Sequence, residues 1–447
     1  MNFTRKTIAA LATAPGVSGM AVIRVSGEEA FSIVDKCFVG KKKISECKTH
    51  TIHYGLFKKD EVIIDTVTVL IFKSPTSYTG EDVIEIACHG GNLISSEILS
   101  VLYNLGAYPP EPGEFTRRAF LNGKLDMAQV EAVSDIIHAN SRGGALSSVR
   151  QLNGKFTNRL KKLRENLLEA AGLLELELDF ADEDLEFVDK SKVKNKIQES
   201  ISFCLDLIDS YQGSNILRNG FHVAIVGRPN AGKSTLFNKL AGKERAIVSK
   251  REGTTRDYLE EFIIMDSISV KLLDTAGLRD TEDEIELQGI KLVKTVLEQA
   301  DLIILLNDLS DKSINNTDLS EKLNKEYSNL IQVNNKCDLW DSVPSNQINL
   351  SAKTGWGVDL LKQEIVKIAK SSTDRVGDAL INIRHKTLLE SAVNFLNLSI
   401  KSIDDGYENE IISIDLMSAV KIIGEITGES YSEEVINKIF SGFCIGK

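Results

Sequence analysis

One octapeptide limits this chain more than anything else in it: Gly227-Arg228-Pro229-Asn230-Ala231-Gly232-Lys233-Ser234. An apolar run at 221–226 precedes it and reads as a buried strand, while a helical pattern starts at Lys233. A strand, a G-x-x-x-x-G-K-S turn and a helix in that order make a phosphate loop. The glycines let backbone amides curl around an anion, and the helix points its positive end at the same place. Ala231, Gly232 and Thr235 belong to this cradle. Lys233 reaches the β and γ phosphates, and Ser234 offers its hydroxyl to Mg2+. Further strands are expected at 261–265, 270–274, 302–307 and 330–334, with helices between them. Alternation over about 150 residues predicts a mostly parallel, Ras-like α/β sheet covered on both faces.

Three later segments narrow the nucleotide. Asp274-Thr275-Ala276-Gly277 ends a strand, which places Asp274 at the carboxyl edge near the metal and the Gly277 amide where it senses the γ-phosphate. In Asn335-Lys336-Cys337-Asp338, the Asp338 carboxylate accepts both the N1 and N2 hydrogens of guanine, a pairing adenine cannot offer. Asn335 ties this turn to the phosphate loop. Ser351-Ala352-Lys353 supplies a last turn with the Ala352 amide near the base oxygen. Together these indicate GTP. Between them, Gly253-Thr254-Thr255-Arg256-Asp257 places Thr255 to complete the Mg2+ shell.

The position after Asp274-x-x-Gly277, where many such sites carry a water-orienting Gln, is Leu278. The attacking water therefore needs another partner. Glu286, at the end of the acidic run 280–286, is the preferred candidate, beside the alternative that it only complements a helix start. Asn230 either holds a monovalent cation against the phosphates or stabilises its turn.

Outside this region the pattern differs. Residues 7–108 read as short strands (21–27, 52–57, 62–72 and 82–90) with a helix at 93–105, a compact α+β unit. Pro109-Pro110-Glu111-Pro112-Gly113 is incompatible with a helix and suggests a boundary there or shortly after. Amphipathic helices are expected at 126–140, 145–178 and 193–211, with Leu160, Leu163, Leu167, Leu168, Leu174 and Leu178 on one buried face. Helices return at 386–403, 410–427 and 432–440, so a helical domain is interrupted by an inserted nucleotide domain. The partition expected is 1–120, 121–219, 220–370 and 371–447.

The 447 residues carry 53 Lys and Arg against 64 Asp and Glu, a net charge of -11, so a nucleic-acid partner would have to use a local patch. The six cysteines show no paired metal spacing, and a reducing cytoplasm is the simplest compartment. The N-terminal residues lack a convincing signal core and no membrane-length apolar run occurs, so neither export nor a membrane span is expected.

The combination GRPNAGKS, GTTRD, DTAGLR, NKCD and SAK, with FLNGKLDMAQ and a terminal FCIGK, resembles the tRNA-modification GTPase family called MnmE or TrmE over essentially the whole chain. The resemblance implies a cytoplasmic homodimer with an N-terminal folate-binding domain, a discontinuous helical domain and an inserted G domain. It implies a heterotetramer with a flavin- and NADH-dependent partner, MnmG. Driven by GTP turnover, the two install an aminomethyl or carboxymethylaminomethyl group on carbon five of the tRNA wobble uridine.

Carried over by motif, Mg2+ ligands fall on Ser234 and Thr255, and the catalytic glutamate on Glu286, acting with Lys233. K+ falls on Asn230 and the loop covering Ser249, Arg251 and Thr254, Ser249 standing where relatives often have Thr. A one-carbon tetrahydrofolate derivative would use Arg24, Glu85, Lys124 and Lys447. Arg24 or a lysine would face the glutamate tail, and Glu85 the pterin. Cys444 lies in the FCIGK tail, which the resemblance places close to that pocket, whereas the other five cysteines read as small buried hydrophobes. The rival readings are a ribosome-assembly GTPase, a non-catalytic GTP-switched scaffold, and a folate-using methyltransfer enzyme with a regulatory G domain.

Overall fold

The structure, a computed structural model, describes residues 6–139, 141–179, 190–242, 260–274, 294–308, 321, 323, 325–340, 347–374, 376 and 380–446, without the side chains of 176–179. Two compact units emerge, Met1–Ser134 with Gly424–Lys447, and Asp135–Ile423.

The first unit contains β1 (Ile8–Leu11), β2 (Ala21–Ser26), α1 (Ala30–Asp35), β3 (Phe38–Val39), β4 (Thr51–Lys59), β5 (Val62–Phe72), β6 (Val83–Cys88) and α2 (Asn92–Asn104). Its strands form one antiparallel sheet in the order β1-β2-β6-β5-β4-β3. Strand side chains alternate between faces, and here the alternation decides what is core. Ile23 and Val25 of β2, Ile84 and Ile86 of β6 and Val69 of β5 are buried in one cluster with Ile98, Val101 and Leu102 of α2. Arg24 and Glu85, between those residues in sequence, project from the other face and stand opposite each other in the register.

The proline-rich connector does not take the chain out of this unit. Gly113, at φ +70°, caps α3 (Glu114–Leu121), whose Phe115 is fully buried with Ile8 and Ala10. The C-terminal segment closes on the same cap. It holds α13 (Glu433–Phe440), started by the Ser432 side chain accepting from the Val435 amide at 3.3 Å. A Cβ at Gly113 would lie 2.9 Å from Phe443 Cβ, and one at Gly446 only 2.2 Å from the Leu11 carbonyl, so the tail fits where glycine alone is tolerated.

α4 (Met127–Ile137) leads into the second unit. The single helix expected over 145–178 is two, α5 (Arg142–Leu152) and α6 (Lys155–Asp179), because Gly154 adopts φ +78°, a left-handed conformation that ends a helix. The expected 193–211 helix likewise continues past a break at Ser210 as α7 (Lys190–Asp209) and α8 (Tyr211–Asn219). Leu160, Leu163, Leu167 and Leu174 are buried as read, and Leu168 is half-buried. The Leu178 side chain lies outside the described residues. α11 (Ile383–Asp404) packs along α7. Its first turn is capped by Asn382, whose side chain accepts from the His385 amide at 2.8 Å, and the fully buried His385 ring meets Phe156 of α6 at 5.4 Å. α12 (Asn409–Thr427) follows. Helices from both ends of the inserted segment therefore share one core.

Within them sits the second sheet: β7 (Phe221–Gly227), β8 (Glu260–Met265), β9 (Ile268–Asp274), β10 (Leu302–Asp308), β11 (Leu330–Asn335) and β12 (Ile348–Asn349), in the order β12-β11-β10-β7-β9-β8. Every pair is parallel except β8 with β9. One face packs Val223, Ile225, Leu272 and Ile304 against α9 (Lys233–Ala241) and α10 (Val358–Thr373), and the other packs Ala224, Val226, Ile303 and Leu305. Burial on both faces is why these strands are continuous apolar runs. Among the described residues no helix is long and apolar enough to cross a membrane.

Candidate functional site

The parallel register brings the sequence motifs to one edge. Leu306 pairs with Gly227, Asp308 with Asn335, and Ile225 with Asp274, so β7, β9, β10 and β11 all end together. Ligands of open α/β sheets bind outside this carboxyl edge.

The phosphate loop leaves β7 at Gly227, whose φ is +156° and whose added Cβ would stand 2.5 Å from the Leu306 carbonyl. Asn230 is exposed at φ +63°. Gly232, at φ +93°, caps α9, and a Cβ there would collide with Asn335 Nδ2 at 2.3 Å. Gly227 is thus required by close backbone approach, and Gly232 by its left-handed φ and the buried Asn335 amide against it. Lys233 Nζ donates to the carbonyls of Gly227 at 3.0 Å and Arg228 at 2.9 Å, which holds the ammonium across the loop. Ser234 and Thr235 are exposed in the first turn of α9, and Ala231 is fully buried.

Asn335 joins the two halves of the site. Its side chain, 2% exposed, donates from Nδ2 to the Ala231 carbonyl at 2.8 Å and accepts at Oδ1 from the Ala352 amide at 2.9 Å. The phosphate loop, the Asn335-Lys336-Cys337-Asp338 turn and the Ser351-Ala352-Lys353 turn are therefore one connected object. Lys336, at φ +64°, donates to Asp308 Oδ2 at 2.5 Å. Asp308 was not singled out from sequence, although the apolar β10 run ending in Asn307-Asp308 at the carboxyl edge is a usable signal. Asp338 and Lys353 are exposed, and Ser351 is buried with its hydroxyl accepting from the Thr354 amide at 3.2 Å. Ser249, Arg251, Thr254, Thr255, Gly277, Leu278, Glu286, Lys447 and the Asp274 side chain lie outside the described residues.

A second cluster lies on the face of the antiparallel sheet that α3 covers. Arg24 Nε and Nη2 both donate to Glu85 Oε1, at 2.9 and 2.7 Å, so these two residues bind each other. The guanidinium lies 5.1 Å from the Tyr78 ring and 5.7 Å from that of Phe115. Its Nη1 is buried with no hydrogen-bond partner among the described residues. An unsatisfied charged donor of this kind fits an absent acceptor, such as a carboxylate or a pterin oxygen. Tyr78 bonds Thr116 at 2.9 Å, and Ser26 donates to Glu81 at 2.7 Å. Arg118 in turn pairs with Glu81 and Glu114, at 3.1 and 2.6 Å. Lys124 Nζ donates to the Pro75 carbonyl at 3.0 Å on the same loop. Tyr78, Glu81, Phe115 and Arg118 were missed from sequence, because only the sheet and the returning α3 bring them beside Arg24.

Cys444 is exposed, with its carbonyl 3.5 Å from the Gly113 amide, two residues before Phe115. The other five cysteines are buried. Burial pushes the thiols of Cys37 and Cys204 up to about 12 and that of Cys88 to about 11.

Two family models match the chain: GTP-binding protein TrmE N-terminus over residues 7–124, and MnmE helical domain over residues 127–444. The chain is 39% identical to the tRNA modification GTPase MnmE of Chlorobaculum tepidum, across 98% of this chain and 97% of that one. The MnmE of Acetivibrio thermocellus is 36% identical, with 100% of both chains covered.

The chain belongs to the MnmE/TrmE family.

The MnmE helical model spans residues on both sides of the parallel sheet, which matches an inserted nucleotide domain inside a discontinuous helical one. Membership makes the chain a GTP-hydrolysing enzyme. Among solved structures, the G domain of the T. maritima FeoB iron transporter is 26% identical over 33% of this chain and 98% of that one, with a TM-score of 0.27.

Proposed function

We propose that this chain is a K+-activated GTPase whose turnover at the carboxyl edge of the parallel sheet serves tRNA modification. With an MnmG-type flavoprotein it installs the aminomethyl or carboxymethylaminomethyl group at carbon five of the wobble uridine. Its cofactors are GTP, Mg2+, K+ and a one-carbon tetrahydrofolate derivative. Its partners are those of the family: a second copy of the chain, the flavoprotein in a heterotetramer, and tRNA.

The observation that carries the site reading is the Asn335 side chain, which spaces the phosphate loop and the base-reading turn for a single nucleotide. Asp338 reads the guanine edge, and we assign the Ala352 amide, which donates to Asn335 Oδ1, to the base oxygen. Lys233 exchanges its two loop carbonyls for phosphate oxygens. Glu286 orients the water, since Leu278 offers no polar group. Mg2+, held by Ser234 and Thr255, supplies charge neutralisation at the phosphates. K+, held by Asn230 and the loop covering Ser249, Arg251 and Thr254, supplies the charge an arginine finger would bring.

The division of labour we assign is 1–120 for folate binding and dimerisation, 220–370 for GTP hydrolysis, and 121–219 with 371–447 as the helical domain. Arg24 Nη1, Glu85, Lys124 and Lys447 would hold the folate derivative, which supplies the one-carbon unit. The packing of Phe443 on the Gly113 cap supports a place for the tail, with Cys444, beside that cluster.

Hydrolysis measured in K+ and in Na+, with the association state followed by light scattering, tests this reading. Faster turnover and association in K+ are expected. Equal rates without association in either cation would favour a GTP-switched scaffold.

A further inference from the structure

The inserted domain is reached and left by two chain crossings: the structure ties the incoming one to α4 and the start of α5, and the outgoing one to α5 and to the incoming crossing itself. The incoming crossing is the end of α8. Arg218 donates from Nε to Asp135 Oδ1 at 2.8 Å and from Nη2 to Asp135 Oδ2 at 2.5 Å, a two-pronged pair with α4. Both side chains are largely buried, at 17% and 15% exposure. One residue earlier, the Leu217 carbonyl accepts from Ser141 Oγ at 3.0 Å, and a Cβ at Gly144 would come within 2.3 Å of that same carbonyl. The outgoing crossing is Leu380, fully buried. Its amide donates to Gln151 Oε1 of α5 at 3.2 Å, and its carbonyl accepts from Arg218 Nη2 at 3.5 Å. One guanidinium therefore touches α4 and the outgoing chain while it sits on the incoming one.

The two crossings lead straight to the two halves of the nucleotide site. After Arg218, Gly220 turns the chain at φ +88° into β7, which runs to Gly227 of the phosphate loop. Leu380 follows α10, which starts just past the Ser351-Ala352-Lys353 turn. α8 itself is bound to the inserted domain, because a Cβ at Gly213 would lie 2.5 Å from Val376 Cγ2 and 2.6 Å from the Ser372 carbonyl at the end of α10. α8 thus packs on the end of α10 and on β7 and β9, while its last residues bond to α4 and to the start of α5. Two connections held side by side resist rotation far better than either alone, as long as both stay fastened.

We propose that Arg218 is a positioning residue: with Asp135 and Gln151 it forms a latch that fixes the orientation of the inserted domain on the helices, so that GTP turnover is transmitted to tRNA modification. Among the described residues the latch touches none of the phosphate loop, so its loss leaves hydrolysis in place and removes its mechanical consequence. This rests on the reading that the chain hydrolyses GTP to drive modification.

The test uses the full chain with its flavoprotein partner and tRNA. Arg218→Met keeps much of the side chain's apolar bulk and removes the fork, and Asp135→Asn removes the opposite charge without changing shape. Both variants are expected to hydrolyse GTP within about twofold of the parent, with K+ stimulation intact, while the modification rate falls at least tenfold. Arg218→Lys, which keeps the charge and a single bond, is expected to recover at least a third of the lost rate. Full modification by both variants, or hydrolysis and modification lost in equal proportion, overturns the latch. A parent chain that fails to hydrolyse GTP or to support modification refutes the proposed function instead, and is distinguished because it is read before any substitution is made.

Discussion

Replacing Asn335 with Ala removes a side chain that fastens the phosphate loop to the base-reading turn. Two groups lose their partners, the Ala231 carbonyl and the Ala352 amide, in residues that are 0% and 3% exposed. Leaving a buried donor or acceptor unsatisfied costs about 1–3 kcal/mol each, so the pair represents about 2–6 kcal/mol, with water reaching the gap favouring the lower figure. Nucleotide binding needs both loops in register, so much of that cost appears when the ligand must order them again. Since 1.4 kcal/mol is tenfold in an equilibrium constant, a loss of about 2 kcal/mol weakens guanine nucleotide binding about 30-fold. Titration of a fluorescent GDP analogue into the full chain measures this directly, and competition with ATP shows that guanine preference persists because Asp338 is untouched. An affinity within threefold of the parent, at an unchanged melting temperature, would refute the idea that Asn335 sets the spacing of the site.

Two further outcomes are expected. Glu286→Ala leaves GTP affinity nearly unchanged and slows single-turnover hydrolysis about 100-fold or more, the usual range for loss of a group that positions a proton acceptor or water; an equal loss of affinity would move Glu286 from catalysis to binding. A thiol reagent applied to the folded chain at pH 8 labels Cys444 quickly and the other five cysteines only after unfolding, because those five are buried and the thiolates of Cys37, Cys88 and Cys204 are further disfavoured by their raised pKa. Rapid labelling of more than one thiol would contradict that burial.

The regular elements were readable because their physical causes are local. The apolar runs 223–226 in β7 and 302–306 in β10 announce strands buried on both faces, and the alternation in β2 and β6 announces a sheet with one face in the core. The breaks at Gly154 and Ser210 were not readable. A lone glycine inside a helical pattern is usually carried along, and only its left-handed conformation here ends α5. Ser210 offers no breaker at all.

The nucleotide site was legible for a related reason: a phosphate loop works through its backbone, so glycine spacing encodes it, and the tie expected from Asn335 is present in the structure. The folate-side residues came only from resemblance. Arg24 and Glu85, 61 residues apart, meet through a strand register that depends on intervening loops, and the sequence therefore gives no hint that they bind each other. Arg218 and Asp135, 83 residues apart on separate helices, were invisible in the same way.

Asp338→Asn provides the most direct test of a single guanine nucleotide spanning the phosphate loop and the base-reading turn. Xanthine carries an oxygen where guanine carries its N2 amine, so an amide at this position complements it. The account predicts that the variant loses GTP hydrolysis at ordinary nucleotide concentration and regains K+-stimulated turnover with xanthosine triphosphate. Unchanged preference for GTP over the xanthosine nucleotide would contradict it.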